Sequence, residues 1–376
     1  MKIPFNKPYS FGNELTYIKE VVDSGKLSGD GVFTKKCQTY FENKYGFKNT
    51  LLTTSCTDAL EMAAILLDIK EGDEVIIPSY AFVSTANPFV LRGAKIVFAD
   101  SMMNHPNIDV KKIEALITNK TKAIVLIHYA GVACEMDEIM ELAIRKKIFV
   151  IEDAAQAINS YYKEKPLGSI GHLSAFSFHD TKNITCGEGG MLVVNDDRFF
   201  KRAEIIREKG TNRRAFFNGE VDKYGWVDIG SSFLLSDILA AFLFAQCEQV
   251  DNIHSKRNNL WKNYFQHLNQ LKENGKIELP NIPDYATNNA HVFYLVCGNE
   301  IERKKLIKHL NENNISAVFH YSSLHKSNYY LSKHDGRQLP NSDRYTDCLL
   351  RLPLYYEMKD TTIELICNCI KQFYNK

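Results

Sequence analysis

The sequence contains no apolar run near the roughly 18 residues that a membrane span needs, and its start, Met1 to Pro8, lacks the apolar stretch of a signal peptide. A soluble, cytoplasmic protein is therefore expected. Its 9 cysteines are odd in number and scattered, with no Cys-x-x-Cys among them. That pattern argues against a zinc ribbon or a disulfide framework and for reduced thiols. Charge of one sign is not in excess either, since 46 Lys and Arg stand against 45 Asp and Glu. Such a chain exerts no overall pull on nucleic acid or an anionic membrane, and any anion it binds is held by local donors. Internal repeats and low-complexity tracts are missing, and no metal site is expected.

What is present is the composition of a large folded enzyme: 376 residues, 45% apolar and 24% charged, enough for one or two sizeable cores. Between residue 50 and about 195, short β-rich runs alternate with helical patterns. The runs are 74–78, 95–99, 123–128, 149–153, 174–178 and 191–194, and the helical patterns include Thr57 to Asp68 and Asp137 to Lys147. This rhythm predicts an α/β fold with a mostly parallel sheet covered by helices on both faces. The stretch Leu173 to Val194, with two runs and a Gly-rich connection, is expected to carry an antiparallel strand. After Ala240 the pattern changes to a long helix through Leu271, a strand from His291 to Cys297, a helix from Glu302 to Asn313 and a terminal helix near Thr361 to Tyr374. A second, smaller α+β unit is predicted there, with the boundary near residue 250.

Three segments carry residues suited to chemistry. In Thr53-Thr54-Ser55-Cys56-Thr57-Asp58, small hydroxyl residues precede a helix. Ser or Thr at that place is an ordinary N-cap, and the free N–H groups of the same terminus also make a phosphate seat. Val150-Ile151-Glu152-Asp153-Ala154-Ala155-Gln156 is an apolar strand ending in two carboxylates, at the place where open α/β sheets bind their ligands. A solvated turn is the other reading. In Phe176-Ser177-Phe178-His179-Asp180-Thr181-Lys182, a lysine follows an aromatic strand and precedes Gly187-Glu188-Gly189-Gly190. Most lysines are solvated, yet a desolvated amine becomes a Schiff-base nucleophile. The glycine turn is no P-loop, since no Gly-Lys-Ser/Thr follows it; its glycines suit positive φ and close packing.

Pyridoxal phosphate needs this combination: a phosphate seat, an aromatic such as Phe82, a strand-end acid and a lysine. On these residues, and from Ile3-Pro4-Phe5 to Arg351-Leu352-Pro353-Leu354, the chain resembles the DegT/DnrJ/EryC1/StrS family of sugar-nucleotide aminotransferases, within fold type I of the pyridoxal-phosphate enzymes. The resemblance implies a large cofactor-binding domain over 1–250, a small C-terminal domain over 251–376, and a homodimer. It implies that Lys182 bonds the cofactor and then moves the substrate proton, and that Asp153 pairs the ring nitrogen. Gln156 is expected at the 3′ oxygen, Phe82 on the ring, and Ser55, Cys56, Thr57 and Ser177 at the phosphate. Many relatives reach the phosphate across the dimer interface with Asn, where this chain has Ser232.

Substrate contacts are expected from His179, His320, Tyr321 and His325, with Lys209 and Arg213 facing a diphosphate; a structural histidine, a strand edge or a solvated turn would read the same. The implied reaction passes an amino group from L-glutamate, leaving 2-oxoglutarate, to a nucleotide-linked keto sugar, the cofactor alternating with pyridoxamine phosphate. Four segments, 25–31, 128–137, 204–213 and 317–321, resemble members that aminate C4 of a dTDP-linked 4-keto-6-deoxy hexose. A sugar dehydratase on the same scaffold is disfavoured, because such relatives carry His in place of the lysine. A cofactor-binding regulator would need a DNA-reading module, for which no basic segment exists.

Overall fold

The computed structural model describes residues 2–375. Seven strands build the central sheet: β1 (Thr50–Thr53), β2 (Glu74–Pro78), β3 (Lys95–Ala99), β4 (Thr121–Ile127), β5 (Phe149–Asp153), β8 (Leu173–Ser177) and β9 (Gly190–Val194), in the order β1-β9-β8-β5-β4-β2-β3. A short antiparallel pair, β6 (Tyr161–Tyr162) and β7 (Lys165–Pro166), lies outside it. The five strands from β3 to β8 are parallel to one another, and β9 runs antiparallel to both β8 and β1. The antiparallel strand expected in the Leu173 to Val194 stretch is β9.

The strands read as unbroken apolar runs because both faces of the sheet are covered. Alternate side chains point to opposite faces. On one side Leu52, Ile76, Ile124, Leu126, Val150 and Phe176 join one buried cluster. On the other, Leu51, Val75, Ile77, Val125, Ile151 and Ala175 join a second. Helix Met136–Lys146 covers the first face, and helix Cys56–Leu66 the second.

The long helical pattern after Ala240 is in fact two helices, Asp237–Cys247 and Val250–Glu273, broken at Glu248 and Gln249. The second one bridges the units. Val250 and Ile253 belong to the first cluster of the large sheet, whereas Leu260, Tyr264 and Leu268 enter a third core. That core surrounds β10 (Ile277–Glu278), β11 (Phe293–Cys297) and β12 (Leu349–Leu352), with helices Glu300–Glu312 and Asp360–Tyr374. The helix that begins at Val250, where a division is expected, thus contributes to both cores. The first residues lie with the smaller unit in space, since Ile3 bridges to Ile315 and packs on the third core. Among the described residues, no helix is long and apolar enough to cross a membrane, and no cluster of His, Cys, Asp or Glu suits a metal ion.

Candidate active site

The carboxyl ends of β4, β5 and β8 lie in register, Ile127 beside Asp153 and Asp153 beside Ala175. A cavity of about 680 Å³ opens there, between the large sheet and the smaller unit. The alternation of β5 separates its two acids. Glu152 is fully buried and accepts from the amides of Gly168 (2.8 Å), Ile170 (2.9 Å) and Gly171 (2.5 Å), with His128 Nε2 at 2.8 Å. It organises the loop behind the sheet. Asp153 lines the cavity instead, holding Thr85 Oγ1 (2.7 Å) and the Ala155 amide (3.2 Å). Burial raises its carboxyl above the ordinary range, with the bonds from Thr85 and Ala155 and the Lys182 charge pulling the other way.

Helix Cys56–Leu66 starts at the cavity wall. Ser55 is extended and caps it by accepting from the Asp58 amide at 3.0 Å, and Thr54 bonds Asp58. Strand β9 runs directly against this terminus. A Cβ on Gly190 would lie 2.3 Å from the Ser55 carbonyl carbon and 2.4 Å from the Cys56 nitrogen. Glycine is the residue that lets the strand approach so closely. Ser55, Cys56 and Thr57 all line the cavity, and Thr57 bonds Ser84 at 2.9 Å.

After β8 the chain folds back, the Lys182 amide donating to the His179 carbonyl at 2.9 Å. Lys182 is half-buried in the cavity wall. Desolvation pushes its ammonium below the ordinary value; Cys56 and Asp153 oppose that, and the Arg351 charge adds to it. A larger fraction of free amine results, as a nucleophile requires.

The cavity therefore gathers Ser55, Cys56, Thr57, Phe82, Asp153, Gln156, Ser177, His179, Lys182, His320 and Tyr321. Phe82 is 56% exposed, its ring centroid 6.2 Å from that of Tyr321. Gln156 has both ends engaged, Oε1 accepting from the Ala130 amide (2.7 Å) and Nε2 donating to Tyr321 (2.8 Å). His320 stacks on Tyr321 with centroids 3.6 Å apart, and its Nδ1 pairs with the Tyr129 hydroxyl at 2.8 Å. Burial holds His320 well below the ordinary histidine value, helped by the charges of Arg351 and Lys182.

Four expected residues stand elsewhere. His325 is buried against Ser79 (2.7 Å) and lies 3.7 Å from Asp343, tying the smaller unit to β2 rather than facing substrate. Lys209 is an exposed left-handed residue with φ 64°. Arg213 is exposed, paired with Glu208 at 3.2 Å and over the Phe217 ring. Ser232 is exposed, beside Glu208 in an isolated β-bridge. Sequence reasoning gave no role to Phe5, Asn6, Thr85, His291 or Arg351, all of which line the cavity. Phe5 and Arg351 had a signal, as parts of the Ile3-Pro4-Phe5 and Arg351-Leu352-Pro353-Leu354 segments.

The residues present fit pyridoxal phosphate: a capped helix terminus brought close by Gly190, a buried acid and a desolvated lysine share one cavity. The comparisons agree. The model of the DegT/DnrJ/EryC1/StrS aminotransferase family matches residues 10–371. An uncharacterized protein of Methanocaldococcus jannaschii is 34% identical over 94% of both chains. Among solved structures, the aminotransferase TlmJ from Streptoalloteichus hindustanus superposes with a TM-score of 0.92 at 25% identity, covering 100% of this chain and 99% of that one. A provisionally assigned sugar aminotransferase of Streptococcus pneumoniae, in its PLP form, shares the fold at TM-score 0.91 and 23% identity, over 99% and 98% of the two chains. The chain has the fold of the type I pyridoxal-phosphate transferases. It belongs to the DegT/DnrJ/EryC1/StrS aminotransferase family and uses pyridoxal phosphate.

Proposed function

We propose that the protein moves the amino group of L-glutamate to C4 of dTDP-4-keto-6-deoxy-D-glucose, giving dTDP-4-amino-4,6-dideoxy-D-galactose. The observation that carries the reading is the meeting of Lys182, Asp153 and the Ser55-capped helix in one cavity, walled on the far side by His320 and Tyr321 of the smaller unit. Bound there, pyridoxal phosphate supplies an electron sink for the carbon that exchanges its proton. Ser55, Ser177 and the amides of Cys56 and Thr57 hold its phosphate, and Asp153 holds a proton on its ring nitrogen. Lys182 Nζ, half-buried in the cavity wall, takes the substrate proton and returns it.

Support for the particular sugar comes from the segments that resemble C4-aminating relatives. Two of them meet: Arg207, buried in the third, pairs with Asp30 of the first at 2.6 Å. The other two also touch, through the bond between Tyr129 and His320. The test is a panel of keto-sugar nucleotides, incubated with glutamate and enzyme and followed by NMR of the product ring. A small H3–H4 coupling, meaning an axial C4 amine, is expected. A large coupling, or nitrogen on C3, overturns the proposal.

The same reading takes the protein to be a cytoplasmic homodimer. The apolar stretch Phe233 to Val250 does not argue for this, because helix Asp237–Cys247 is buried within the chain against helices Asn13–Ser24 and Val32–Tyr45. The preceding segment does, with Phe217 68%, Trp226 85% and Val227 54% exposed. Sedimentation of an active monomer at micromolar concentration would contradict it.

A further inference from the structure

His291 is a buried imidazole with one nitrogen left free at the cavity. It stands shortly before β11, among the residues that line the wall, and is only 7% exposed. Its Nδ1 lies 3.1 Å from Asn183 Oδ1, and the Asn183 side-chain nitrogen donates to the Asn289 carbonyl at 2.9 Å. The second bond settles the first. With the amide nitrogen committed to a carbonyl, Asn183 Oδ1 can only accept, so the ring proton sits on Nδ1 and Nε2 carries a lone pair. Among the described residues, no protein group bonds Nε2, and unlike His105 Nε2 it is not sealed in the interior. It opens on the cavity.

The backbone beneath this ring is fixed from several sides. Arg257, on the bridging helix, donates to the Ala290 carbonyl at 3.0 Å and to the His291 carbonyl at 2.7 Å, and His254 Nε2 lies 3.2 Å from the Asn288 carbonyl. Asn289 is fully buried. Its side chain donates to the Gln156 and Ile158 carbonyls, both at 2.8 Å, and accepts from the His291 amide at 3.0 Å. Ala290 takes a left-handed φ of 52°, a conformation that a residue with a Cβ keeps only where its surroundings over-determine it. The result is an imidazole of set direction and set tautomer, tied through Asn183 to the chain segment that carries Lys182.

Burial holds His291 well below the ordinary histidine value, and the charges of Lys182, Arg257 and Arg351 act in the same direction. The ring is thus neutral near pH 7, an acceptor and not an acid. His320 has no such fixed role, because its Nδ1 partner is the Tyr129 hydroxyl, which can give or take a hydrogen.

We propose that His291 is a specificity residue for the amino acceptor, its Nε2 taking a hydrogen bond from a ring hydroxyl of the keto sugar. This rests on the sugar-aminotransferase reading and adds to it a residue that recognises the sugar itself. The chemistry of the two substrates selects the sugar. L-Glutamate brings two carboxylates, which have no hydrogen to give and whose lone pairs repel that of Nε2, and one amine, which is used in bonding the cofactor. A hexose brings hydroxyls, each of them a donor. The cofactor's phosphate and ring nitrogen are already assigned, to the Ser55 helix terminus and to Asp153. A buried acceptor of fixed direction also disfavours a sugar without the matching hydroxyl, because the lone pair then goes unpaired.

Holoenzyme of the wild type, His291→Phe and His291→Gln is converted to its amino form with L-glutamate. It is then mixed with dTDP-4-keto-6-deoxy-D-glucose, or with the 2-deoxy or 3-deoxy analogue of that sugar, and the cofactor absorbance is followed. His291→Phe is expected to lower kcat/KM for the parent sugar by about 10- to 50-fold, as the loss of one buried hydrogen bond with its partner left unpaired does. The loss for glutamate should be smaller by about fivefold or more on the same reasoning. One deoxy analogue should cost the wild type a similar factor and cost His291→Phe little more, so that the two losses do not add. His291→Gln, which offers an amide oxygen near the place of Nε2, should recover part of the loss. Nitrogen-15 NMR of histidine-labelled wild-type holoenzyme, with the His291 signals identified by their absence from the glutamine variant, should show a neutral ring protonated on Nδ1. That readout does not depend on the phenylalanine variant folding.

Losses that add for both hydroxyls would overturn the proposal, since Nε2 would then meet neither. So would a loss heavier on glutamate than on the sugar, which would make His291 part of donor binding, and so would a proton found on Nε2. A wild type that reacts with glutamate and with no keto-sugar nucleotide would bring down the functional reading itself, a result distinct from any of these.

Discussion

Thr85 Oγ1 donates to Asp153 Oδ2 at 2.7 Å, while the Ala155 amide holds Oδ1 at 3.2 Å, so both oxygens of the acid are fixed before any ligand meets them. A carboxylate held this way would meet the ring nitrogen of the cofactor in a set direction. Asp153→Asn should retain much of the cofactor affinity and lose about a hundredfold or more in the rate of the glutamate half-reaction. Stopped-flow absorbance checks this, and an unchanged rate would sink it. Thr85→Val should cause a smaller loss and raise the pH at which the Asp153-dependent cofactor band titrates, because a bond favouring the ionised acid is gone.

Lys182 is expected to carry the cofactor covalently. Borohydride reduction followed by peptide mass spectrometry should place the label on the peptide containing Lys182, and Lys182→Ala should abolish steady-state transamination. Normal turnover of that variant, with cofactor still fixed to the chain, would show that another amine does this work.

The capping role of Ser55 and its proposed role at the phosphate separate experimentally. As a cap, its loss in Ser55→Ala should cost about 1 kcal/mol of stability, visible in the melting temperature of the apoprotein. As a phosphate donor, its loss should also weaken pyridoxal phosphate binding, measured by fluorescence titration. Ser232→Ala, at an exposed site outside the chain's own cavity, should be milder on both counts. A stronger effect at Ser232 than at Ser55 would reverse the assignment of the main phosphate seat.

His105 is expected to contribute to the loss of stability in acid. It is buried, Nδ1 accepts from the Asn107 amide at 3.1 Å, and Nε2 has no partner. Desolvation pushes its pKa down to about 3. The native ring stays neutral to near that pH, whereas the unfolded one gains a proton near 6.5. The unfolded chain thus binds more protons throughout the window, and stability falls as pH drops from about 6.5 towards 3, by on the order of a few kcal/mol in total. His105→Gln should flatten the dependence of urea-unfolding free energy on pH between about 6 and 4 relative to wild type; parallel curves for the two proteins would refute this.

Much of this protein is legible in one dimension because the signals are local. The apolar runs that became β2, β4 and β5, the hydroxyl cap before helix Cys56–Leu66, and the lysine between an aromatic strand and a glycine turn all depend on neighbours within a few residues. Backbone geometry then carries Asp153 and Lys182 to the same end of the sheet. Where sequence reasoning went astray, the deciding quantity was side-chain direction or long-range packing. His325 and Tyr321 are four residues apart, yet the β-bridge from Tyr80 to Ser323 and the bond to Ser79 bury one beneath β2 while the other faces the cavity. Lys209, on a turn, and Arg213, at the start of helix Arg213–Phe217, are exposed and do not line it.

Phe5 and Arg351 come from opposite ends of the chain and meet only because the first residues pack on the third core, next to β12. Periodicity and capping determined the sheet, its helices and the lysine. Packing of the smaller unit against the large sheet decided which distant side chains close the cavity, because no local spacing encodes contacts made by residues so far apart in sequence.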